Sequence, residues 1–243
     1  MQKASIIIPN RNGLSYLQQC IASIVRHTDV PYEIIVVDNG SKDGSVEYCL
    51  KERRKVRLVS VPFNRGFPGA CNLGLKLASG DAMLLLNNDV IVTPNWLSNL
   101  MRCLYSSRET GIVGPTTNYA SGRQRVDSPY GSPELAAQAP NIPDAGKWQT
   151  VPRLVGFCFL IKRELMETIG LLDEQFAPGH FEDDDYCFRA RLAGFQLKIA
   201  GDTFVYHHGS ASFGQESEQV KSLIRRNYDK FVAKWGFDPH SLI

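Results

Sequence analysis

The sequence predicts an α/β fold in which helices flank a mainly parallel central sheet. Apolar, strand-like runs alternate with amphipathic helical segments through the first 115 residues, the rhythm expected of right-handed crossovers. Ala82-Met83-Leu84-Leu85-Leu86 is apolar throughout and follows the turn signal Ser79-Gly80-Asp81, as a strand buried on both faces would. Polar clusters follow each of the first four strands, and a parallel sheet sets such ends side by side along one edge.

Taken in order, Ser5–Ile8 is the first expected strand. Leu14–Arg26 is an amphipathic helix with Leu14, Leu17, Ile21, Ile24 and Val25 on its apolar side. Glu33–Asp38 is a second strand, Ser45–Leu50 a short helix, Val56–Val61 a third strand and Gly69–Leu77 a helix. The Ala82–Leu86 strand comes next, and Pro94, at a first helical position after Thr93, opens a helix to about Tyr105. Past Gly111–Pro115 the pattern breaks, and residues 116–150 are rich in Ser, Gly, Pro, Asn and Gln. So long an aperiodic stretch reads as a flexible flap over a substrate groove, with an ordinary surface insertion as the alternative. Leu154–Lys162 is a strand, Arg163–Ile169 and Asp183–Leu192 are helices, and Gln196–Ala200 and Thr203–Tyr206 are strands. A last amphipathic helix runs from about Glu216 to Trp235, with Val220, Leu223, Ile224, Phe231, Val232 and Trp235 on one side. The expected organisation is one domain over residues 1–243, with halves at 1–115 and 151–243 joined by the 116–150 segment.

A formal net charge of +2 makes no case for a nucleic-acid partner, which needs a strongly basic face. Met1-Gln2-Lys3-Ala4 leads straight into a strand, so no signal peptide is expected, and Leu154–Ile161 is too short to span a bilayer. Cys20, Cys49, Cys71, Cys103, Cys158 and Cys187 show no CxxC pairing and lie mostly in apolar periodic segments. They read as reduced, buried thiols of a cytoplasmic protein.

The polar clusters are where chemistry is expected. Asn10-Arg11-Asn12-Gly13 follows the first strand, and Asp38-Asn39-Gly40-Ser41 begins the second cluster, where a carboxylate can accept hydrogen bonds from a base or a ribose. Asn64-Arg65-Gly66 begins the third and offers a planar donor beside a helix N-terminus. Asn87-Asn88-Asp89 is the fourth, with oxygen ligands suited to a hard cation. None of these is a Walker A loop or GxGxxG. Glu182-Asp183-Asp184-Asp185 opens a helix, where the dipole explains one or two carboxylates but less readily four in a row. Mutual repulsion raises at least one of their pKa values, which suits a general base; spacing does not say which residue that is. His207 and His208 end a strand and point to opposite faces, so at most one is a metal ligand or phosphate donor.

Together these blocks resemble glycosyltransferase family 2, the inverting nucleotide-sugar transferases of GT-A fold. The resemblance runs through Ser5–Asn10, Val36–Ser45, Asn64-Arg65-Gly66-Phe67 with Asn72-Leu73-Gly74, and Leu86–Asp89. It continues through Gly156, Leu160–Glu164, Gly170–Phe176 and Glu182–Asp185 to Arg189-Ala190-Arg191. The order of these blocks, over nearly the whole chain, is similar to the bacterial branch that builds surface polysaccharides and glycoconjugates. The resemblance implies a Rossmann-like GT-A sheet with a smaller, mixed acceptor-side region. It implies that Pro9, Asn10, Asp38, Arg65, Gly66, Asn72, Asn87 and Asn88 bind the nucleotide sugar. Asp89 then stands in the last position of the DxD motif and, with His207 or His208, holds a divalent cation, Mn²⁺ or Mg²⁺. Asp183 becomes the catalytic base, and Gly156, Glu182 and Asp184 line the acceptor side. Asn87 departs from the DxD pattern by removing one charge.

The implied reaction moves a sugar from a nucleoside-diphosphate donor, by default a UDP-sugar with dTDP-rhamnose as competitor, to a glycan, a lipid-linked intermediate or a peptide. Lys221, Arg225, Arg226, Lys230 and Lys234 on the last helix could contact the inner face of a membrane, or simply form a solvated polar face. Two other functions stay open: a silent nucleotide-sugar-binding module, and a nucleotidyltransferase, which should carry a Gly- and Arg-rich loop that Asn10-Arg11-Asn12-Gly13 is not.

Overall fold

Strands and helices alternate through the first half as their apolar periodicity demands. The structure, a computed structural model, describes residues 2–127, 130–209 and 217–242. The elements are β1 (Ala4–Asn10), α1 (Leu14–His27), β2 (Tyr32–Asn39), α2 (Ser45–Lys51), β3 (Val56–Val61), α3 (Gly66–Leu77), β4 (Ala82–Leu86), β5 (Val90–Ile91) and α4 (Trp96–Leu104). They continue as β6 (Thr110–Thr117), α5 (Pro133–Ala136), β7 (Trp148–Val151), β8 (Cys158–Lys162), α6 (Arg163–Ile169), α7 (Glu182–Leu192), β9 (Gln196–His207) and α8 (Glu218–Trp235).

The sheet order is β3-β2-β1-β4-β8-β6-β9-β5, with β7 also pairing to β9. The first four strands are mutually parallel, and β8 joins β4 and β6 antiparallel, so the second half is mixed. Alternate residues of the central strands feed two cores. Ile6, Ile8, Val36, Leu84 and Leu86 pack against α1 and α4, including Leu17, Ile24, Trp96 and Leu100. Ile7, Ile35, Val37, Met83 and Leu85 pack against α3, α6 and α7, including Leu75, Leu165 and Tyr186. Burial on both faces is why these strands read as continuous apolar runs. All six cysteines are buried and unpaired.

Several elements differ from expectation. β6 was hidden by Gly111, Gly114 and Pro115, yet it pairs parallel to β9 across register shifts at both Gly111 and Pro115–Thr116. β9 is one strand rather than two. Gly201 sits so close to Lys147 that an added Cβ would lie 2.4 Å from its carbonyl oxygen, and Asp202 accepts from Asp144 N–H and the Trp148 indole. The glycine thus marks a close backbone approach, not a turn. Within residues 116–150, β7 pairs antiparallel with β9, and buried Asn141 bonds Thr93, Pro94 and Phe204. α3 starts at Gly66, with Pro68 in its first turn, and α4 starts at Trp96 after an Asn95 N-cap at φ 61°. Glu216, the expected start of the last helix, lies outside the described residues.

At the sheet edge opposite the polar clusters, Glu33 accepts from Ser5 Oγ (2.6 Å), Ser79 N (2.9 Å) and Ser79 Oγ (2.6 Å), with Lys3 Nζ at 3.4 Å. Against the opposing effect of burial, these contacts hold its carboxyl down at about 2. A depressed carboxylate contributes stability above its unfolded pKa and loses it as pH falls through the folded value. Acid unfolding should therefore show a loss between about pH 4.5 and 2 that Glu33→Gln makes shallower, read by chemical denaturation at stepped pH.

Candidate active site

The parallel order β3-β2-β1-β4 sets the four polar strand ends side by side. Asn10 and Asp38 are register partners at the ends of β1 and β2. Asn10 donates to Asp38 Oδ2 (3.4 Å) and Ser41 Oγ (3.3 Å), while its own Oδ1 accepts from Asn88 Nδ2 at 2.7 Å. Asp38 Oδ1 accepts from Ser41 N–H at 3.0 Å, and all three of Asn10, Asp38 and Asn88 are buried. A relay Asn88–Asn10–Asp38 thus crosses the tips of β4, β1 and β2. Gly13, at the start of α1, leaves room for it, because a Cβ there would stand 2.3 Å from Asn88 Nδ2.

Over these tips opens a cleft of about 620 Å³. Pro9, Asn10, Arg11, Asn39, Asn64 and Phe67 form its sheet side, and Gln219, Leu223 and Arg226 of α8 form the opposite wall. Asn39 organises the β3 end: its Nδ2 donates to Asn64 Oδ1 (2.9 Å) and its Oδ1 accepts from Arg65 N–H (2.8 Å). The Arg65 side chain is half-exposed and lies 3.8 Å from Glu174. Gly66 has φ 75°, and a Cβ there would stand 2.8 Å from Pro178 Cα. Asn72 lies away from the cleft lining. Its amide donates to Leu172 O (2.9 Å) and Glu174 Oε1 (3.0 Å) and accepts from Leu172 N–H (3.0 Å), fixing the loop before α7.

Beyond β4 the chain turns through Asn87-Asn88-Asp89 into β5, whose Val90 pairs with His207 at the end of β9. His208 N–H donates to Asp89 O at 3.1 Å, so this short ladder brings Asp89 to the histidines. His207 Nε2 stands 3.2 Å from Asp89 Oδ1. Its Nδ1 lies 2.8 Å from Tyr119 O, and Phe157 stacks on the ring at 5.1 Å. A neutral ring whose Nδ1 donates to a carbonyl presents Nε2 as a lone pair to an ion. Two ligand atoms in adjacent positions around one small divalent ion lie roughly 3 Å apart, so the Asp89–His207 pair fits such an ion. Among the described residues no third His, Cys, Asp or Glu joins them. The Oδ1 of Asn87 and the Nε2 of His208 are buried and unpartnered there. His208 packs between Tyr16 (5.1 Å) and Tyr206 (5.2 Å), and burial lowers its pKa.

The acidic run opens α7, and packing separates its members. Asp185 is fully buried and accepts from Arg189 (2.8 Å), Lys234 (2.6 Å) and the Trp235 indole (2.9 Å). Glu182 is buried with Oε2 unpartnered, and burial followed by Asp183 pushes its carboxyl well up. Asp184 is gripped by both Nε and Nη2 of Arg153. Burial, then Asp183, nevertheless pushes it up to about 7. Asp183 alone of the run is partly exposed. Its Oδ2 accepts from Gly156 N–H (2.9 Å) and its Oδ1 from Asp184 N–H (3.0 Å). The next residue, Phe157, accepts from Asn87 N–H at 2.9 Å, so residues 156–157 join Asp183 to the β4 tip. Sequence reasoning missed Asn39, Ser41 and Arg153; the first two lie inside recognised clusters, whereas no local pattern marks Arg153.

This sheet, polar edge and acidic helix define an α/β domain of the GT-A class. The structure superposes on GalNAc-T7, crystallised with UDP, GalNAc and Mn²⁺, at a TM-score of 0.75 and 19% identity. That match covers 97% of this chain and 48% of the other, and at this identity it is a likeness of fold. Residues 5–170 match the family model described as Glycosyl transferase family 2, and the chain belongs to that family. An uncharacterized protein, y4gI of Sinorhizobium fredii, is 30% identical, over 95% of this chain and 27% of its own length. The O-antigen biosynthesis protein RfbC of Myxococcus xanthus is 26% identical, over 86% of this chain and 18% of its own. The chain therefore spans about a quarter or less of these two relatives.

Proposed function

We propose that this domain is an inverting glycosyltransferase that moves a sugar from a nucleoside-diphosphate sugar to a glycan, lipid-linked or peptide acceptor. The observation that carries the proposal is the Asp38–Asn10–Asn88 relay, which links the buried carboxylate at the β2 tip to the residue before Asp89, itself 3.2 Å from His207. Asp38 and Asn10 would receive the base or ribose, with Pro9, Asn39 and Asn64 around them. Asp89 and His207 would hold Mn²⁺ or Mg²⁺, with the donor diphosphate completing its ligands. When bound, such an ion offsets the charge developing on the departing diphosphate. Asp183, fixed by two backbone N–H groups and partly exposed, would take the proton from the acceptor nucleophile. Attack from that side inverts the anomeric centre.

A UDP-sugar is the favoured donor, supported by UDP and Mn²⁺ in the GalNAc-T7 structure. The O-antigen role in the name of RfbC supports a surface-glycan acceptor. Buried, unpaired cysteines support a cytoplasmic setting. Any contact with a membrane would fall to α8. There Lys221, Arg226, Lys230 and Lys234 already engage Glu218, Ala177, Gln175 and Asp173 with Asp185, which leaves less of that face for lipid. Among the described residues no helix is long and apolar enough to cross a membrane.

The test is a thermal-shift panel of UDP, dTDP and GDP, each with and without Mn²⁺. Ligand at a hundred times its Kd stabilises by about 2.7 kcal/mol, a rise of roughly 5–10 °C for a chain of this size. We expect UDP with Mn²⁺ to give the largest rise, and Asp89→Ala or His207→Ala to remove the Mn²⁺-dependent part. No shift with any nucleotide would overturn the proposal.

A further inference from the structure

The segment before β8 is tied to α7 at three successive points. Arg153 grips Asp184 through Nε and Nη2, Leu154 N–H donates to Cys187 Sγ (3.4 Å), and Gly156 N–H donates to Asp183 Oδ2 (2.9 Å). Its outer side is held by Gln124, whose Oε1 accepts from Val155 N–H at 2.7 Å, and by Ser121, which accepts from Arg153 Nη1 at 3.0 Å. Arg153 is the charged member of this arrangement, and its side chain is only 14% exposed.

We propose that Arg153 is a positioning residue for Asp183: by gripping Asp184 and pinning residues 153–156 to α7, it holds Asp183 as the partly exposed carboxylate of the acidic run, oriented by the Gly156 N–H. The chemistry behind this is local crowding. Asp183 is flanked on α7 by Glu182, Asp184 and the Cys187 thiol, and His180 precedes it. Arg153 is the cation that reaches this group from the opposite segment. Buried carboxylates so close together cannot all ionise unless a cation compensates. A guanidinium serves better than an ammonium, because its planar fork spans both oxygens of Asp184 while a third nitrogen stays bonded to Ser121. The Gly156 N–H contact then follows from the register set at residue 153.

The inference deepens the reading of Asp183 as base, but its test needs no substrate. In protein labelled with ¹³C at aspartate carboxyls, the resonance lost in Asp183→Asn reports the Asp183 carboxyl. Arg153→Gln should move its titration midpoint up by about one pH unit or more. Asp184→Asn, which frees the guanidinium for Asp183, should move it down, and the double variant should return it toward the wild type. Arg153→Lys should give a smaller upward shift than Arg153→Gln. Loss of a neighbouring cation or anion gives opposite signs by itself, so the positioning role is read from Arg153→Lys, which keeps the charge but not the planar fork and should still move the midpoint up. An unmoved midpoint in Arg153→Gln, or shifts of the same sign in both single variants, would overturn the inference. If Arg153→Gln fails to fold, Arg153→Lys decides: an upward shift supports the inference and an unmoved midpoint overturns it. The base assignment falls separately, if Asp183→Asn still transfers sugar, and that result leaves the titration outcome standing.

Discussion

Asp183→Asn should lower sugar transfer by about 10²–10⁴-fold while leaving the nucleotide-induced rise in Tm intact. The amide is nearly isosteric and its oxygen still accepts from the Gly156 N–H that the carboxylate now engages at 2.9 Å, so the geometry survives. What is lost is the capacity to take a proton. Asp183 is also absent from the lining of the cleft over the strand tips, which comes mainly from those tips and α8. Release of UDP in the presence of acceptor measures the first quantity, and thermal shift the second. Equal loss of both would move Asp183 from proton transfer to donor binding.

Asp185→Ala should destabilise the fold by about 3 kcal/mol or more, the usual cost of removing one member of a buried ion pair. Asp185 is completely buried and answers Arg189, Lys234 and Trp235 at once. Arg189 is turned at the same time toward Ile169 O and Leu171 O, both at 2.8 Å, so its head is committed to this place. Lys234 keeps a second partner in Asp173 at 2.7 Å, which softens the loss without removing it. For a chain of this length the expected fall in Tm is roughly 6–12 °C. A drop of less than about 1 kcal/mol, measured by urea unfolding, would show that water or Asp173 replaces the carboxylate. Two neighbours in the same acidic run thus have opposite signatures, one in rate and one in stability.

Legibility followed the physics of each segment. β1 to β4 could be read because they are buried on both faces and end in short polar residues; nothing competes with that pattern. The same clusters yielded Asn10, Asp38 and Asn88, which direct hydrogen bonds link at one edge, and Asp89, which the β5–β9 ladder carries to His207. β6 was illegible because Gly111, Gly114 and Pro115 interrupt its apolar residues, and its pairing comes from β9, some ninety residues away. β5 is two residues long, too short for any period, yet it brings Asp89 to His207. The four carboxylates of α7 look alike in sequence. They are told apart by residues far along the chain: Arg153 for Asp184, Lys234 and Trp235 for Asp185, Gly156 for Asp183. Asn72, read as a donor contact, instead spends its amide on the 172–174 loop.

The last helix has a consequence for anyone who would excise this unit from a longer chain. The family match stops at residue 170, before α7 and α8. Yet α8 supplies one wall of the cleft, and its Asn227 bonds the carbonyls of Phe176 (2.6 Å) and Gly179 (2.8 Å) beneath α7. Phe231 closes a small aromatic core with Phe176 and Phe181. A cut placed by the family boundary would remove the acidic helix itself and β9, the strand to which β5, β6 and β7 pair. The smallest transplantable module therefore extends through Trp235, and the family model alone sets that border too early.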